Sequence, residues 1–290
     1  MTLHRSGRFL AAAASIALSA SALGQTPVPA TPGEKPAAGP ALPPPPSAEE
    51  RAAGKALFAK VVDWLGGQKK VSSVRDVQTR GQLTAKTPEG EVSMEVQSAM
   101  IFPAYLAQQI DSPFGQVAMV STPTGAFLVG PNGSQDLPPQ MAEELKKQTQ
   151  RIPLHLAQKA DDPKLWLAAA GNEKIGSVDA SVLDIRYGPV AVRWYVDAKT
   201  GRILRTSHTA TTPDGKPAQM VSDYSEYKVV DGFPVAHRLE VTTNGERDQT
   251  LVLEECKINA GVDPKLFGKP PAPPATPTAA APAPTAALKP

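Results

Sequence analysis

Residue types that could perform catalysis are few in this sequence, and they do not stand at catalytic spacings. Beyond the N-terminal segment, the histidines are His155, His208 and His237. No HExxH, CxxC or Gly-x-Ser-x-Gly motif is present, and zinc hydrolysis, thiol exchange and serine nucleophiles depend on these spacings. His237 and Glu240 would face opposite ways in a strand, so they do not suit a metal site. The sequence therefore indicates a protein that is not an enzyme, with no catalytic residues, metal site or cofactor.

The acidic pairs and the single cysteine do not suggest a reactive group either. Asp161-Asp162, Glu143-Glu144 and Glu254-Glu255 are adjacent in the chain, so their side chains diverge in regular structure and cannot share a proton. Cys256 is the only cysteine and has no intramolecular disulfide partner. Its neighbouring glutamates would raise the pKa of the thiol. We interpret Cys256 as a strand residue, with intermolecular pairing as the alternative.

The N-terminus has the pattern of a secretory signal peptide over residues 1–24. Arg5 and Arg8 precede an apolar run from Phe9 to Leu18, and small residues follow up to Gly24. This run is too short to span a bilayer, and no cysteine follows it for lipid attachment. The pattern predicts cleavage near residue 25 and a soluble, exported product.

The charge of the predicted mature chain gives no reason to expect a nucleic acid partner. The sequence has 30 basic and 28 acidic residues. Removal of Arg5 and Arg8 with the signal peptide leaves 28 basic residues, equal to the acidic count. A neutral protein lacks the basic surface that binding to phosphates requires.

The domain organisation is indicated by the distribution of the 31 prolines. Residues 25–46 and 269–290 are rich in Pro and Ala without apolar periodicity, which is typical of disordered spacers or partner-binding arms. The segment between them, residues 47–268, is long enough for one domain with a sizeable core.

Local signals predict a helix followed by two runs of strands. A capping box at Ser47 and Glu50 begins the helix, and Gly66-Gly67 ends it. The first strand run lies between residues 74 and 129, and the second between residues 182 and 258, with Gly, Pro, Asn or Asp in the gaps. Three segments between the runs have helical composition: residues 138–150, 152–159 and 163–169. The order predicts an α+β fold with an antiparallel sheet and an insert of short helices.

Apolar and polar residues alternate along several strands, so the sheet should have an apolar face and a polar face. The apolar positions include Val92, Met94, Val96, Met100, Phe102, Val192, Trp194, Leu239 and Val241. The helix and the insert supply apolar residues that could cover this face, among them Leu57, Phe58, Val61, Leu65, Met141, Leu145 and Trp166. Periodicity does not distinguish a filled core from an openable cavity.

Two segments carry a resemblance to a known superfamily. They are YVDAKTGRILR, from Tyr195 to Arg205, and DYSEYKVVDGFPVAHRLEV, from Asp223 to Val241. Together with the order of elements, they resemble proteins of the outer-membrane lipoprotein-sorting (LolA/LolB-like) superfamily over most of residues 47–268. Physically, Gly201 and the Asp231-Gly232 pair suit hairpin turns with positive φ.

The resemblance implies an antiparallel unclosed (half) β-barrel covered by an N-terminal helix and a short-helix insert. It also implies that the concave apolar face binds acyl chains of lipids or lipoproteins in the periplasm. The apolar strand residues named above are then the expected lining of a cavity, and the helix and insert residues are its expected lid. The partner would be a lipid or acylated protein, with an envelope protein as a further possibility, and the carrier would be a monomer.

The superfamily's sorting carriers have an arginine before a proline at the start of a strand segment, and it latches the lid. Residues 99–105, AMIFPAY, contain no arginine at the corresponding place. The alternative function is a periplasmic protein-interaction module with a filled core and no small-molecule ligand.

Overall fold

A computed structural model describes residues 45–270, apart from residues 89, 114, 132, 213 and 214. The predicted signal peptide lies outside the described residues, as do most of the two proline-rich segments. The described helices are α1 (Ala48–Trp64), α2 (Gln68–Ser72), α3 (Pro139–Arg151), α4 (Pro153–Ala157) and a 3-10 helix (Pro264–Phe267). The described strands are β1 (Asp76–Thr87), β2 (Gly90–Ile101), β3 (Tyr105–Ser112), β4 (Gly115–Thr122), β5 (Gly125–Gly130), β6 (Gly133–Asp136), β7 (Trp166–Ile175), β8 (Val178–Tyr187), β9 (Val190–Asp197), β10 (Ile203–Thr211), β11 (Pro217–Val230), β12 (Phe233–Thr243) and β13 (Glu246–Ile258).

All of the described strands belong to one antiparallel sheet. Its order is β6-β5-β4-β3-β2-β1-β13-β12-β11-β10-β9-β8-β7, so the two strand runs meet where β1 pairs with β13. β6 and β7 lie at the two ends of this order and do not pair with each other. The prediction of an α+β fold with an unclosed, antiparallel half-barrel and covering helices is confirmed.

Register shifts bend the sheet near its centre. One shift lies between Arg80 and Gly81 on β1, and another lies between Val241 and Thr242 on β12. A Cβ atom at Gly81 would come within 2.2 Å of the carbonyl oxygen of Val252 on β13. Glycine is therefore required at this bulge, and bulges of this kind increase local bending and twist.

The local signals at the helix start and the hairpin turns predict the structure correctly. Ser47 N–H donates to Glu50 Oε2 at 2.6 Å, and Glu50 N–H donates to Ser47 Oγ at 3.1 Å, which completes the capping box. Gly201 has φ 81°, and Asp231 and Gly232 have φ 50° and 76°. Each of these features depends on a few adjacent residues.

The predicted helix over residues 163–169 is wrong. The segment ends a turn and enters β7 at Trp166, and Trp166 pairs with Arg186 on β8. Leu167 and Ala168 are buried there, and Leu167 packs beneath α1. Packing of the strand under α1 outweighs the helical propensity of its alanines.

Helices cover two regions of one face of the sheet. α1 packs on β7 and β8, while α3 contacts β4, β5 and β9. α3 therefore reaches strands from both halves of the sheet. We call the face under α1 and α3 the concave face.

The alternation in the sequence predicts a polar opposite face, but part of that face is apolar. The C-terminal segment carries Val262 and Phe267 onto β3 and β4, where they form a buried cluster with Val120 and Phe127. The Phe267 ring also lies 5.3 Å from the Tyr105 ring. This segment gives the outer face of β2–β5 an apolar cover of its own.

Candidate functional site on the concave face

The α1 half of the concave face is tightly packed. The Phe58 ring stacks on the Trp194 ring with centroids 5.6 Å apart, and Trp194 is 0% exposed. A Cβ atom at Gly54 would lie 2.7 Å from the backbone of Ala168, so α1 and β7 are in direct backbone contact. Lys60 Nζ donates to the carbonyl of Ala198 at 2.6 Å. Helix α1 is thus fixed to the sheet by apolar and polar contacts.

The α3 half is covered by a different mixture of residues. Leu145 packs on Leu106, Met119 and Ala126, with Met100 at the edge of the cluster. The same helix also buries polar side chains, namely Glu144, Thr149 and Arg151. An amphipathic helix normally presents a wider apolar stripe to its core. α3 therefore combines one strong apolar contact with a polar buried face.

The apolar residues of the central strands form separate clusters. Met94 and Val96 pack with Leu83, Ala85 and Ile110, with Val92 and Leu251 at the border. Val241 packs with Ala210 and Met220, with Leu239 at the border. The first group includes Leu251 of β13, whose cross-strand partner on β12 is Leu239, so the two groups adjoin across β12 and β13. Leu239 and Leu251 are only partly buried at this border.

The structure distributes the predicted lining and lid residues over these regions. Val192 and Trp194 lie with Leu57, Phe58, Val61 and Leu65 in the α1 cluster. Phe102 lies near Val74, Val77 and Phe233, and Met100 borders both this cluster and the one under α3. Met141 is half-buried on α3. The assignment of these residues to a ligand cavity stays a prediction.

Trp166 occupies a place that the sequence did not indicate. It is half-buried on β7, next to Leu167, whose side chain packs beneath α1. Adjacent strand residues face opposite ways, so Trp166 points away from α1. The guanidinium of Arg186 lies 4.6 Å from the centre of its ring. Trp166 is thus not part of the helical insert in which the prediction placed it.

Buried polar side chains on the concave face were missed by the sequence analysis. Gln108 is 5% exposed and donates to Ser98 Oγ, but its Oε1 has no hydrogen-bond partner among the described residues. The buried Gln249 Oε1, Trp194 Nε1 and His208 Nε2 are also without partners in the described part of the chain. Buried polar atoms normally have a protein, water or ligand partner. Polar residues at apolar-face positions were the available signal, and the apolar alternation concealed them.

Burial changes the titration of several groups in the core. It lowers the pKa of His208 to about 3, with a further effect of the Arg151 charge. It lowers the pKa of His155 to about 4, assisted by Lys159. It also raises the pKa of Cys256 to about 11, and Asp231 adds to this. The direction predicted for Cys256 is confirmed, but the cause is burial and Asp231, and not the adjacent glutamates.

The described residues contain no group of three or more His, Cys, Asp or Glu side chains placed to hold a metal ion. None of the described helices is long and apolar enough to cross a membrane.

Comparison with known proteins identifies the fold. No protein-family profile and no curated protein matches the sequence. Among solved structures, a LolA superfamily protein from Nitrosomonas europaea aligns over 74% of this chain and 97% of its own, with TM-score 0.51 and 15% identity. A DUF1329 family protein from Desulfovibrio piger aligns over 76% of this chain and 97% of its own, with TM-score 0.52 and 11% identity. At this low identity the structural alignments show a shared fold alone: this chain has the LolA/LolB-like fold.

Proposed function

We propose that this protein is a periplasmic, non-catalytic carrier or sensor that binds a lipid or acyl chain on its concave face. The observation that carries the proposal is that Met100, Leu239 and Leu251 on the apolar face of the central strands are only partly buried, while α1 packs on β7 and β8 and α3 contacts β4, β5 and β9. A core filled by the covering helices would bury such side chains fully. An acyl chain that covers these side chains would be stabilised by about 25 cal/mol per Å² of apolar surface removed from water.

In this proposal, α3 moves to admit the ligand to the concave face. The ligand contacts the lining residues Val92, Met94, Val96, Met100, Leu239 and Val241. Met94, Met100 and Met119 support the proposal, because flexible thioethers adapt to chains of varied shape. Periplasmic location is supported by the signal-peptide pattern of residues 1–24. The ligand would be a free lipid or the acyl group of an envelope protein, taken up by a monomer.

A protein-interaction module with a filled core is the second candidate, and a specific observation favours it. Trp194, one of the expected lining residues, is 0% exposed and is covered by Phe58 of the same chain. Phe102, Val192, Trp194 and the α1 residues would then be ordinary core. In this case the outer face or the proline-rich arms would contact the partner.

Native mass spectrometry of protein purified from a periplasmic extract tests the proposal. We expect a co-purifying lipid on the wild-type chain and its loss in Met100→Glu, because a charge on the concave face opposes an acyl chain. Ser93→Glu is the matched control, because Ser93 is exposed on the same strand and faces the other side of the sheet. Circular dichroism should show an intact sheet in both variants. Wild-type protein without lipid, and unable to take up added lipid, would favour the second candidate.

A further inference from the structure

A buried polar cluster connects α3 to β10. Arg151 lies in the last turn of α3, and its side chain is 9% exposed. It forms an ion pair with Glu144 of the same helix, which is 4% exposed. Arg151 Nη2 donates to the carbonyl oxygen of Thr209 on β10 at 3.5 Å. His208 precedes Thr209, so the guanidinium lies next to the His208 position.

Two nitrogen atoms of this cluster have no partner among the described residues. They are Arg151 Nε and His208 Nε2, both buried. Arg151 uses Nη1 for Glu144 and Nη2 for Thr209, which leaves Nε–H as a donor. Neutral histidine can donate from Nε2 in the tautomer that carries its proton there. The cluster therefore offers two nitrogen atoms for hydrogen bonding that no contact among the described residues uses.

The cluster carries no net charge at neutral pH. The positive charge of Arg151 is balanced by the negative charge of Glu144, and His208 is uncharged because burial lowers its pKa to about 3. A free carboxylate placed here would bring a negative charge without a counter-charge into a buried site, which is costly. An uncharged carbonyl oxygen could accept the same hydrogen bonds without that cost.

The residues around the cluster are apolar. On β11, Met220 is the cross-strand partner of His208, and it packs with Ala210 and Val241. On α3, Leu145 follows Glu144 and packs into the strand cluster under the helix. These surroundings favour a ligand that places an acceptor oxygen at the two nitrogen atoms and an apolar chain against the neighbouring side chains.

We propose that Arg151 and His208 form a head-group site that accepts the uncharged carbonyl of an acyl ester or amide in preference to the carboxylate of a free fatty acid. The inference rests on the proposed acyl-chain binding and adds the chemical class of the ligand's head. Esters and amides share the carbonyl acceptor, so either could supply it.

The test compares two ligands with the same acyl chain. Methyl dodecanoate and dodecanoate would compete with the neutral dye N-phenyl-1-naphthylamine on the full mature chain at pH 8, where dodecanoate is ionised. We expect the ester to bind about tenfold more tightly, as one satisfied hydrogen bond and one avoided buried charge would give. Equal binding, or tighter binding of dodecanoate, would overturn the inference.

Two variants separate charge from hydrogen bonding. Glu144→Gln leaves Arg151 without its counter-charge and should reverse the preference towards dodecanoate. The double variant Glu144→Gln/Arg151→Gln is neutral but lacks the Nε donor, so the ester should lose about tenfold in affinity. Glu240→Gln is the control, since Glu240 pairs with Arg238 on a partly exposed part of β12, and it should change neither ligand's affinity. An unchanged preference in a folded Glu144→Gln protein would contradict the site.

Dodecanol distinguishes the failure of this inference from the failure of the proposed function. It has a similar chain but no carbonyl. If dodecanol and both other ligands fail to displace the dye, acyl-chain binding itself is wrong. If all three displace it equally, the chain binds and the head-group site is wrong.

Discussion

The contact between Phe58 and Trp194 shows how one pair of side chains decides the character of half the concave face. Phe58 is 2% exposed and Trp194 is 0% exposed, and the two rings lie nearly parallel. Phe58→Ala would remove the cover of Trp194 and leave a cavity. We expect a loss of about 3–5 kcal/mol in the free energy of unfolding, measured by urea denaturation.

Leu57→Ala provides the comparison for this substitution. Leu57 is adjacent to Phe58 on α1 and only partly buried, so its removal should cost about 1 kcal/mol. Similar losses for the two variants would mean that Phe58 is not part of a closed core. A small loss for Phe58→Ala with a gain in lipid binding would point to a ligand site under α1.

At the scale of elements, α1 lies so close to β7 that the position of Gly54 has no room for a side chain. A Cβ atom at Gly54 would meet the backbone of Ala168 at 2.7 Å, and backbone atoms cannot move aside like a flexible side chain. Gly54→Ala should therefore destabilise the protein by about 1–3 kcal/mol, although alanine is the better helix former by about 1 kcal/mol. Chemical denaturation measures this change.

The reverse substitution on the exposed side of the same helix is the control. Ala56→Gly lies at an exposed position of α1 and should cost about 1 kcal/mol through helix propensity alone. Gly54→Ala should also lower the free energy of unfolding, but through a steric clash with β7. If Gly54→Ala stabilised the protein, α1 would not be held against β7 in solution.

At the scale of the whole molecule, stability should depend on pH through His155, which is buried, and His208, which is half-buried. Burial lowers the pKa of His155 to about 4 and that of His208 to about 3, below the ordinary value of 6.5. The folded state keeps both uncharged, while the unfolded chain binds protons below pH 6.5. The stabilisation is complete above pH 6.5 and is lost as the pH falls towards the two folded-state values.

Lowering the pH from 7 to 5 should reduce the free energy of unfolding by roughly 2 kcal/mol for each of these histidines. Urea denaturation at a series of pH values measures the slope. His208→Gln should remove about half of it. Asp248, whose pKa is raised by burial, acts in the opposite direction at lower pH. A flat profile between pH 7 and 5 would show that the two histidines are accessible to protons in the folded state.

Local signals were sufficient for much of the fold. The capping box at Ser47, the turn at Asp231-Gly232 and the alternation of β2 and β9 each depend on residues close in the chain. The helix predicted over residues 163–169 failed because the burial of Leu167 beneath α1 depends on residues about 100 positions away. Propensity is a weak guide where such packing decides.

By itself, the sequence determined most of the strand and helix order, the start of α1 and the hairpin turns at Gly201 and Asp231-Gly232, because these follow from local geometry and side-chain period. Only the tertiary structure decided that Phe58 covers Trp194, that the C-terminal segment covers the outer face of β2–β5, and that Arg151 of α3 bonds to β10 at Thr209, next to His208. These contacts join segments far apart in the chain. They depend on how a bent sheet and its helices come together, and no local period records this.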